Sequence, residues 1–210
     1  MPVLVAIVGG SGAGKTWLAD RLEAALSPWC GRVLLDDFYR DLSALPAGRR
    51  ARVNFDHPRA IDWALFRQVL EAIRGGRPVR LPRYDFVRHV RAGYRKAWRP
   101  PPLVLVDGLW LLRTPAVRRA FALRLYVDAP AAVRRERRLE RDRTERGRSC
   151  ASIRRQFREH VQPMHARFVE PQRSRADRVL GPRIRASQVA ALARHIRGLL
   201  SRGSRQRGRH

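Results

Sequence analysis

The stretch VLVAIVGGSGAGKTWLADRL, residues 3–22, constrains this chain more than any other. Val3–Val8 is an unbroken apolar run rich in β-branched residues, the pattern of a strand buried on both faces. After Gly9–Thr16, apolar residues return at helical spacing: Trp17, Leu18, Leu22, Ala25 and Leu26. The order is strand, glycine loop, helix. GGSGAGKT fits G-x-x-x-x-G-K-[ST], in which glycines let backbone N–H groups converge on a phosphate without obstruction from Cβ atoms. The helix that follows adds its positive N-terminal end. Gly9, Gly10, Ser11, Gly12, Ala13, Gly14, Lys15 and Thr16 are therefore the candidate nucleotide-binding set. Lys15 is placed to reach the β and γ phosphates, and the Thr16 hydroxyl to ligate Mg²⁺. ATP and Mg²⁺ are the expected ligands. A glycine turn that matches by chance is the bland alternative; the loop's place between a strand and a helix argues against it.

Apolar segments recur along the rest of the chain. Strands are expected at Val33–Leu35, Leu103–Val106, Leu123–Val127 and Arg178–Leu180. Helices are expected over 59–74, about 130–143, 153–168 and 187–201, with Pro58 in the first turn of the 59–74 helix and Gly75-Gly76 ending it. Leu42–Arg52 reads as a mobile connection, and the Arg- and aromatic-rich segment 77–99 as a hairpin insertion closed off by Pro100–Pro102. The predicted fold is α/β: a parallel sheet of the phosphate-loop NTPase, nucleotide-kinase-like type, flanked by helices. One domain spans 1–202, and the basic tail 203–210, which lacks an apolar anchor, is expected to be disordered. In such sheets ligands gather beyond the carboxyl ends of the strands. Gly9–Thr16, Asp36-Asp37, Asp107 and Asp128 all fall at such ends.

Composition narrows the function less than it first promises. Lys plus Arg number 45 against 18 Asp plus Glu, a formal charge of +27, yet only Lys15 and Lys96 are lysines. So strong a preference for arginine is the mark of a G+C-rich genome and selects no partner, although the charge attracts polyanions. One of the two lysines stands where the phosphate loop needs one. No apolar run is long enough to cross a bilayer, and the N-terminus has no signal-peptide pattern. Cys30 and Cys150 have no metal or redox spacing. A cytoplasmic protein with ordinary thiols is expected.

In LDDFYR, residues 35–40, Asp36 and Asp37 stand together in a chain short of acids. Asp107 ends LVLVD, where an acid can join the Mg²⁺ shell opposite Thr16 or simply end a strand. The chain has no N-K-x-D segment for reading guanine and no elements of a motor or helicase. A small-molecule kinase fits better.

GGSGAGKT, DDFYR, NFDHP (54–58), YDFVRH (84–89), VDG (106–108) and RDRTERGRS (141–149) occur in the order found in uridine–cytidine kinases, and the chain resembles that family from about Val3 to Gly181. The resemblance implies transfer of the γ-phosphoryl of ATP to the 5′-hydroxyl of uridine or cytidine. It implies that Asp36 is the general base, in contact with the metal as well, and that Asp56 binds the ribose. Tyr84 and His89 become the base-reading pair, Phe86 a pocket wall and Tyr39 a further nucleoside contact. Residues 131–149 resemble a lid, in which Arg138, Arg141, Arg146 and Arg148 contact phosphate oxygens of the substrates and Gln156 supports the lid or the ribose. Arginine suits that role because its guanidinium pairs bidentately with phosphoryl oxygens.

For Arg134, Arg135, Arg137 and Arg143 the expectation is a solvated helix face. Asp37 is expected to cap the loop, on the argument that neighbours on a strand face opposite ways. Taken alone, Asp56 could equally cap the turn before Pro58, and His89 could be solvated. The chain departs from the family in having Asp107 for the usual Glu and Trp17 for a small polar residue. The partner implied is a small nucleoside, with no need of membrane or nucleic acid, and a homo-oligomer is implied. The competing readings are a kinase of the same fold acting on another small alcohol (pantothenate, ribulose phosphate or nicotinamide riboside) and a nucleic-acid-stimulated NTPase.

Overall fold

The computed structural model describes residues 1–50, 52–144 and 147–205. Strands β1 (Val3–Gly9) and β2 (Cys30–Leu34) come first, then the hairpin strands β3 (Pro82–Asp85) and β4 (Val90–Tyr94). Strands β5 (Leu103–Gly108), β6 (Leu123–Val127) and β7 (Arg178–Leu180) follow. The main sheet runs β2-β5-β1-β6-β7 with every pairing parallel, and β3-β4 form a separate antiparallel hairpin.

The apolar runs that announce the strands are each two interleaved sets of side chains. Along β1, Val5 and Ile7 face one layer while Leu4, Ala6 and Val8 face the other. The first layer is closed by Leu18, Leu22 and Leu26 of α1 (Lys15–Leu26) together with Val189, Leu192 and Ile196 of α8 (Ala186–Arg205). The second is closed by Phe66, Val69, Leu70 and Ile73 of α3 (Trp63–Arg74) and by the fully buried Trp110. Each fully buried leucine contributes about 2 kcal/mol, so both faces of β1 are anchored. The phosphate loop therefore leaves a strand that cannot shift.

The helix expected over 59–74 is broken. Pro58–Ala60 forms a 3-10 turn, Ile61 is extended and bridges to Tyr39, and the α-helix begins only at Trp63. Asp62 provides the cap by accepting from the Leu65 N–H at 3.1 Å. Gly76, at φ 69°, lets the chain reverse as expected at the far end. Leu42–Arg52, read as a mobile connection, contains a short helix, α2 (Ala47–Arg50). A one-turn helix, α4 (Pro115–Arg118), precedes β6, and the basic segment forms α5 (Ala131–Thr144). Beyond it, α6 (Cys150–Gln156) continues through a π turn (Phe157–Val161), α7 (Gln162–Met164), a second π turn (His165–Val169) and a 3-10 turn (Glu170–Arg175). Helix α8 runs on to Arg205, past the expected end, so residues 203–205 of the expected tail are helical and 206–210 lie outside the described residues. Cys30 and Cys150 are free thiols. No helix among the described residues is long and apolar enough to cross a membrane.

Candidate active site

The sheet register brings the expected residues to one edge. Asp107 lies beside Ile7 of β1 and Leu34 of β2, and Gly9 beside Val127 of β6. The phosphate loop then turns tightly against α5. Gly12 has φ 78°, and a Cβ there would stand 2.4 Å from the Arg134 carbonyl oxygen, so only glycine fits. Gly14, at φ 107°, turns the chain into α1. Lys15 is half-buried and donates from Nζ to the Gly10 carbonyl at 3.1 Å, a curled position at the head of the loop. Burial pulls its pKa below the usual lysine value, while the carboxylates of Asp107 and Asp36 push the other way.

A cleft of about 1140 Å³ opens at this edge. Its floor is the phosphate loop with Asp36, Asp37 and Asp107; Arg141 and Phe86 reach it from other elements. Both aspartates of LDDFYR lie in a 3-10 turn, Leu35–Phe38, because β2 ends at Leu34. The strand argument for giving them opposite faces therefore does not hold, and both line the cleft. Asp37 is distinguished instead by its partner: Arg95, from beyond the hairpin, bonds it at 3.0 Å. Burial raises the Asp37 carboxyl above its ordinary pKa, and the Arg95 charge offsets part of that rise.

The nucleoside-side residues gather in a neighbouring cluster that meets the main cleft at Phe86. The Tyr39 and Tyr84 rings lie 5.3 Å apart, Phe86 stands edge-on to both, and His89 stacks on Phe55 at 4.5 Å. His89 has a left-handed backbone, φ 55°, and sits at the turn between β3 and β4. The Tyr39 hydroxyl donates to the Phe55 carbonyl at 3.1 Å. Burial pushes the Tyr84 phenol up to about 12. Asp56 does not cap the turn at Pro58, since His57 Nδ1 accepts from the Arg59 N–H instead. The Asp56 carboxylate stands 3.7 Å from Arg138 and lines a small cavity with Ser11 and His165. Burial raises its pKa, and Arg138 counters in part.

The arginines of α5, indistinguishable by local sequence, are sorted by packing. Arg138 is buried and donates to Ser11 Oγ and to Gln156 Oε1, both at 3.0 Å. Arg148 shares the same Gln156 oxygen at 2.6 Å. Gln156 is thus a clasp between two lid arginines. Asp142, which the sequence reading passed over, is fully buried among them. It accepts from Arg141 at 2.8 and 3.0 Å, with Arg138 at 3.3 Å and Arg148 at 3.8 Å. The signal available was an aspartate four residues after Arg138, one helical turn away. Arg146 lies outside the described residues.

Two of the four arginines assigned to a solvated face are not idle. Arg134 is 2% exposed, donates to Ala129 O and Gln162 Oε1, and lies over the Phe157 ring. Arg137 donates to the carbonyls of Ala13 at 2.9 Å and Pro182 at 3.0 Å, tying the phosphate loop to the segment after β7. Arg135 and Arg143 are exposed, as expected. Sequence reading also missed His165. Its imidazole packs against Gly10, and burial pushes it down to about 4, so it is neutral at physiological pH.

Among the described residues no cluster of three His, Cys, Asp or Glu could cage a metal by itself. Thr16, Asp36 and Asp107 nevertheless give one hydroxyl and two carboxylates around the cleft, the oxygen donor set that suits Mg²⁺ brought in with nucleotide phosphates.

Known proteins resemble this chain in sequence and in fold. Residues 4–190 match the phosphoribulokinase / uridine kinase family model. A uridine kinase of Chloroflexus aggregans is 41% identical over 177 residues, covering 84% of this chain and 85% of the relative. One of Deinococcus deserti is 39% identical over 180 residues, covering 85% and 87%. Among solved structures, the phosphoribulokinase of Rhodobacter spheroides superposes with a TM-score of 0.64 at 14% identity, over 85% of this chain and 70% of that one. A D-glycerate 3-kinase of Cryptococcus neoformans superposes at 0.58 with 17% identity, over 80% and 79%. The structural likenesses speak for the fold alone. The family match over nearly the whole folded chain, with the sequence identities, places this chain in the phosphoribulokinase / uridine kinase family of phosphotransferases that act on an alcohol acceptor.

Proposed function

We propose that this protein phosphorylates uridine or cytidine at the 5′-hydroxyl with ATP as donor. The single observation that carries the reading is that Lys15 and Asp36 face one cleft, so that a phosphate-binding ammonium and a hydroxyl-binding carboxylate meet at the same sheet edge. The uridine kinases at about two-fifths identity give the acceptor its identity.

Phosphoryl transfer asks mainly for alignment and for neutralisation of charge. Asp36 accepts a hydrogen bond from the 5′-hydroxyl and takes its proton as the new O–P bond forms and the bond from Pγ to the ADP oxygen breaks. Lys15 meets negative charge on the β and γ oxygens, and its burial strengthens that interaction. Arg141, held at the cleft by Asp142, supplies a guanidinium to the transferring group. Mg²⁺, held by Thr16, Asp36 and Asp107, would screen the phosphate oxygens. On the acceptor side Asp56 takes the ribose hydroxyls, and the Tyr39, Tyr84, Phe86 and His89 cluster opens to receive the pyrimidine.

Purified protein incubated with ATP, Mg²⁺ and a panel of nucleosides and other small alcohols is expected to yield ADP and a pyrimidine nucleoside 5′-monophosphate. Absence of turnover with every nucleoside in the panel overturns the reading.

A further inference from the structure

Arg32 departs from what a metal-dependent phosphate site asks for. It projects from β2 into the cleft, and its Nη2 donates to the Asp107 carboxylate at 2.9 Å. Its Nη1 donates to Asp20 on α1 at 2.5 Å. Asp107 is buried, and Asp20 is 60% exposed. A single guanidinium thus spans a buried carboxylate that lines the cleft and a solvent-facing one at the rim. Register explains the reach: Arg32 lies beside Leu105 on β5, two residues before Asp107 on the same face.

We propose that Arg32 is a built-in competitor for Mg²⁺ at Asp107, and that it sets how much Mg²⁺ the protein needs to bind nucleotide. A guanidinium bonded to Asp107 neutralises the charge that would attract the metal and covers one of its oxygens. When Mg²⁺ arrives with nucleotide, Arg32 gives up the inner bond and keeps the outer one. Asp20 is the resting place that keeps this exchange cheap, because a freed guanidinium with no partner would be costly in a partly buried site. The inference rests on the phosphate loop binding a Mg²⁺-nucleotide. It does not depend on which alcohol is the acceptor.

The test is equilibrium binding of a non-hydrolysable ATP analogue to the whole protein, without acceptor, across a Mg²⁺ titration. Fluorescence of Trp17, exposed at the cleft mouth, is the readout. Arg32→Gln is expected to lower the Mg²⁺ midpoint roughly tenfold, the exchange of one charge-assisted hydrogen bond. Analogue affinity without Mg²⁺ is expected to fall, because the uncovered Asp107 carboxylate then faces the phosphates. Asp20→Asn, at an exposed position that tolerates change, is expected to move the midpoint the other way by about threefold, since it leaves the displaced Arg32 without its partner. An unchanged or higher midpoint in Arg32→Gln, or a lower one in Asp20→Asn, overturns the proposal. If Arg32→Gln does not fold, the direction in Asp20→Asn decides alone. If only the acceptor reading were wrong, these midpoints would still move while uridine turnover failed.

Discussion

Asp142→Asn tests how much of the lid hangs on one carboxylate. The substitution keeps the shape of a fully buried side chain, removes its charge and turns an N–H₂ toward arginines that can only donate. Three arginines lose the partner charge, and Arg138 and Arg148, which face the second carboxylate oxygen, lose an acceptor, but not equally. Arg141 and Arg148 have side chains 35% exposed and can recover solvation, so little is lost through them. Arg138 is 6% exposed and cannot, so the cost concentrates there. Stranding one buried charge costs about 3–5 kcal/mol in general. Arg138 keeps Ser11, Gln156 and Asp56 as partners, so the low end applies: about 3 kcal/mol, a fall in Tm of roughly 6–12 °C for a chain of this size. Thermal unfolding by circular dichroism measures the fall, and steady-state kinetics should register a larger loss in kcat than in affinity for ATP. A variant that melts within about 1 °C of the parent and keeps its kcat would refute the idea that Asp142 organises these arginines.

Other substitutions probe separate parts of the site. Asp36→Asn is expected to lower kcat by about 10²–10⁴, a far larger effect than on binding of an ATP analogue, for which Thr16 and Asp107 would still hold the metal. An unaffected rate would remove Asp36 as the base. Gly12→Ala is expected to abolish tight nucleotide binding, read by the same fluorescence titration, because its Cβ would collide with the Arg134 carbonyl 2.4 Å away. Asp56→Asn sets function against stability. Burial raises its folded pKa above the ordinary 3.8, so the folded state holds that proton more tightly than the unfolded chain does. The group therefore lowers stability as pH rises from 3.8 through the raised folded pKa. Asp56→Asn should melt no lower than the parent at pH 7 while raising KM for the nucleoside. A clearly lower Tm would mean that the contact with Arg138 outweighs the burial.

Some of this was open to reading from local pattern. The apolar run, the glycine loop and the helix after it specify a strand, a turn and a phosphate cradle through nearest neighbours alone, and β1, α1 and the turn at Gly76 appear where that pattern puts them. NFDHP and YDFVRH could be read as motifs, and the structure gathers Tyr39, Phe55, Tyr84, Phe86 and His89 into one cluster. Element boundaries were harder. The helix at 59–74 failed at Ile61 because a bridge to Tyr39, which no local period encodes, holds that residue extended.

What the sequence determined by itself was the order of strands and helices, the phosphate loop and the residue types at the sheet edge, because backbone sterics and hydrophobic period act over a few residues. What only tertiary structure decided was which charge meets which. Arg134 is buried, Arg137 grips the loop carbonyls, Asp142 gathers the lid, Arg95 takes Asp37 and Arg32 takes Asp107. In a chain with 45 basic residues every acid has many candidate partners along the sequence. The choice among them is made by distances of a few ångströms between elements far apart in the chain, where burial makes a paired charge tolerable and an unpaired one costly.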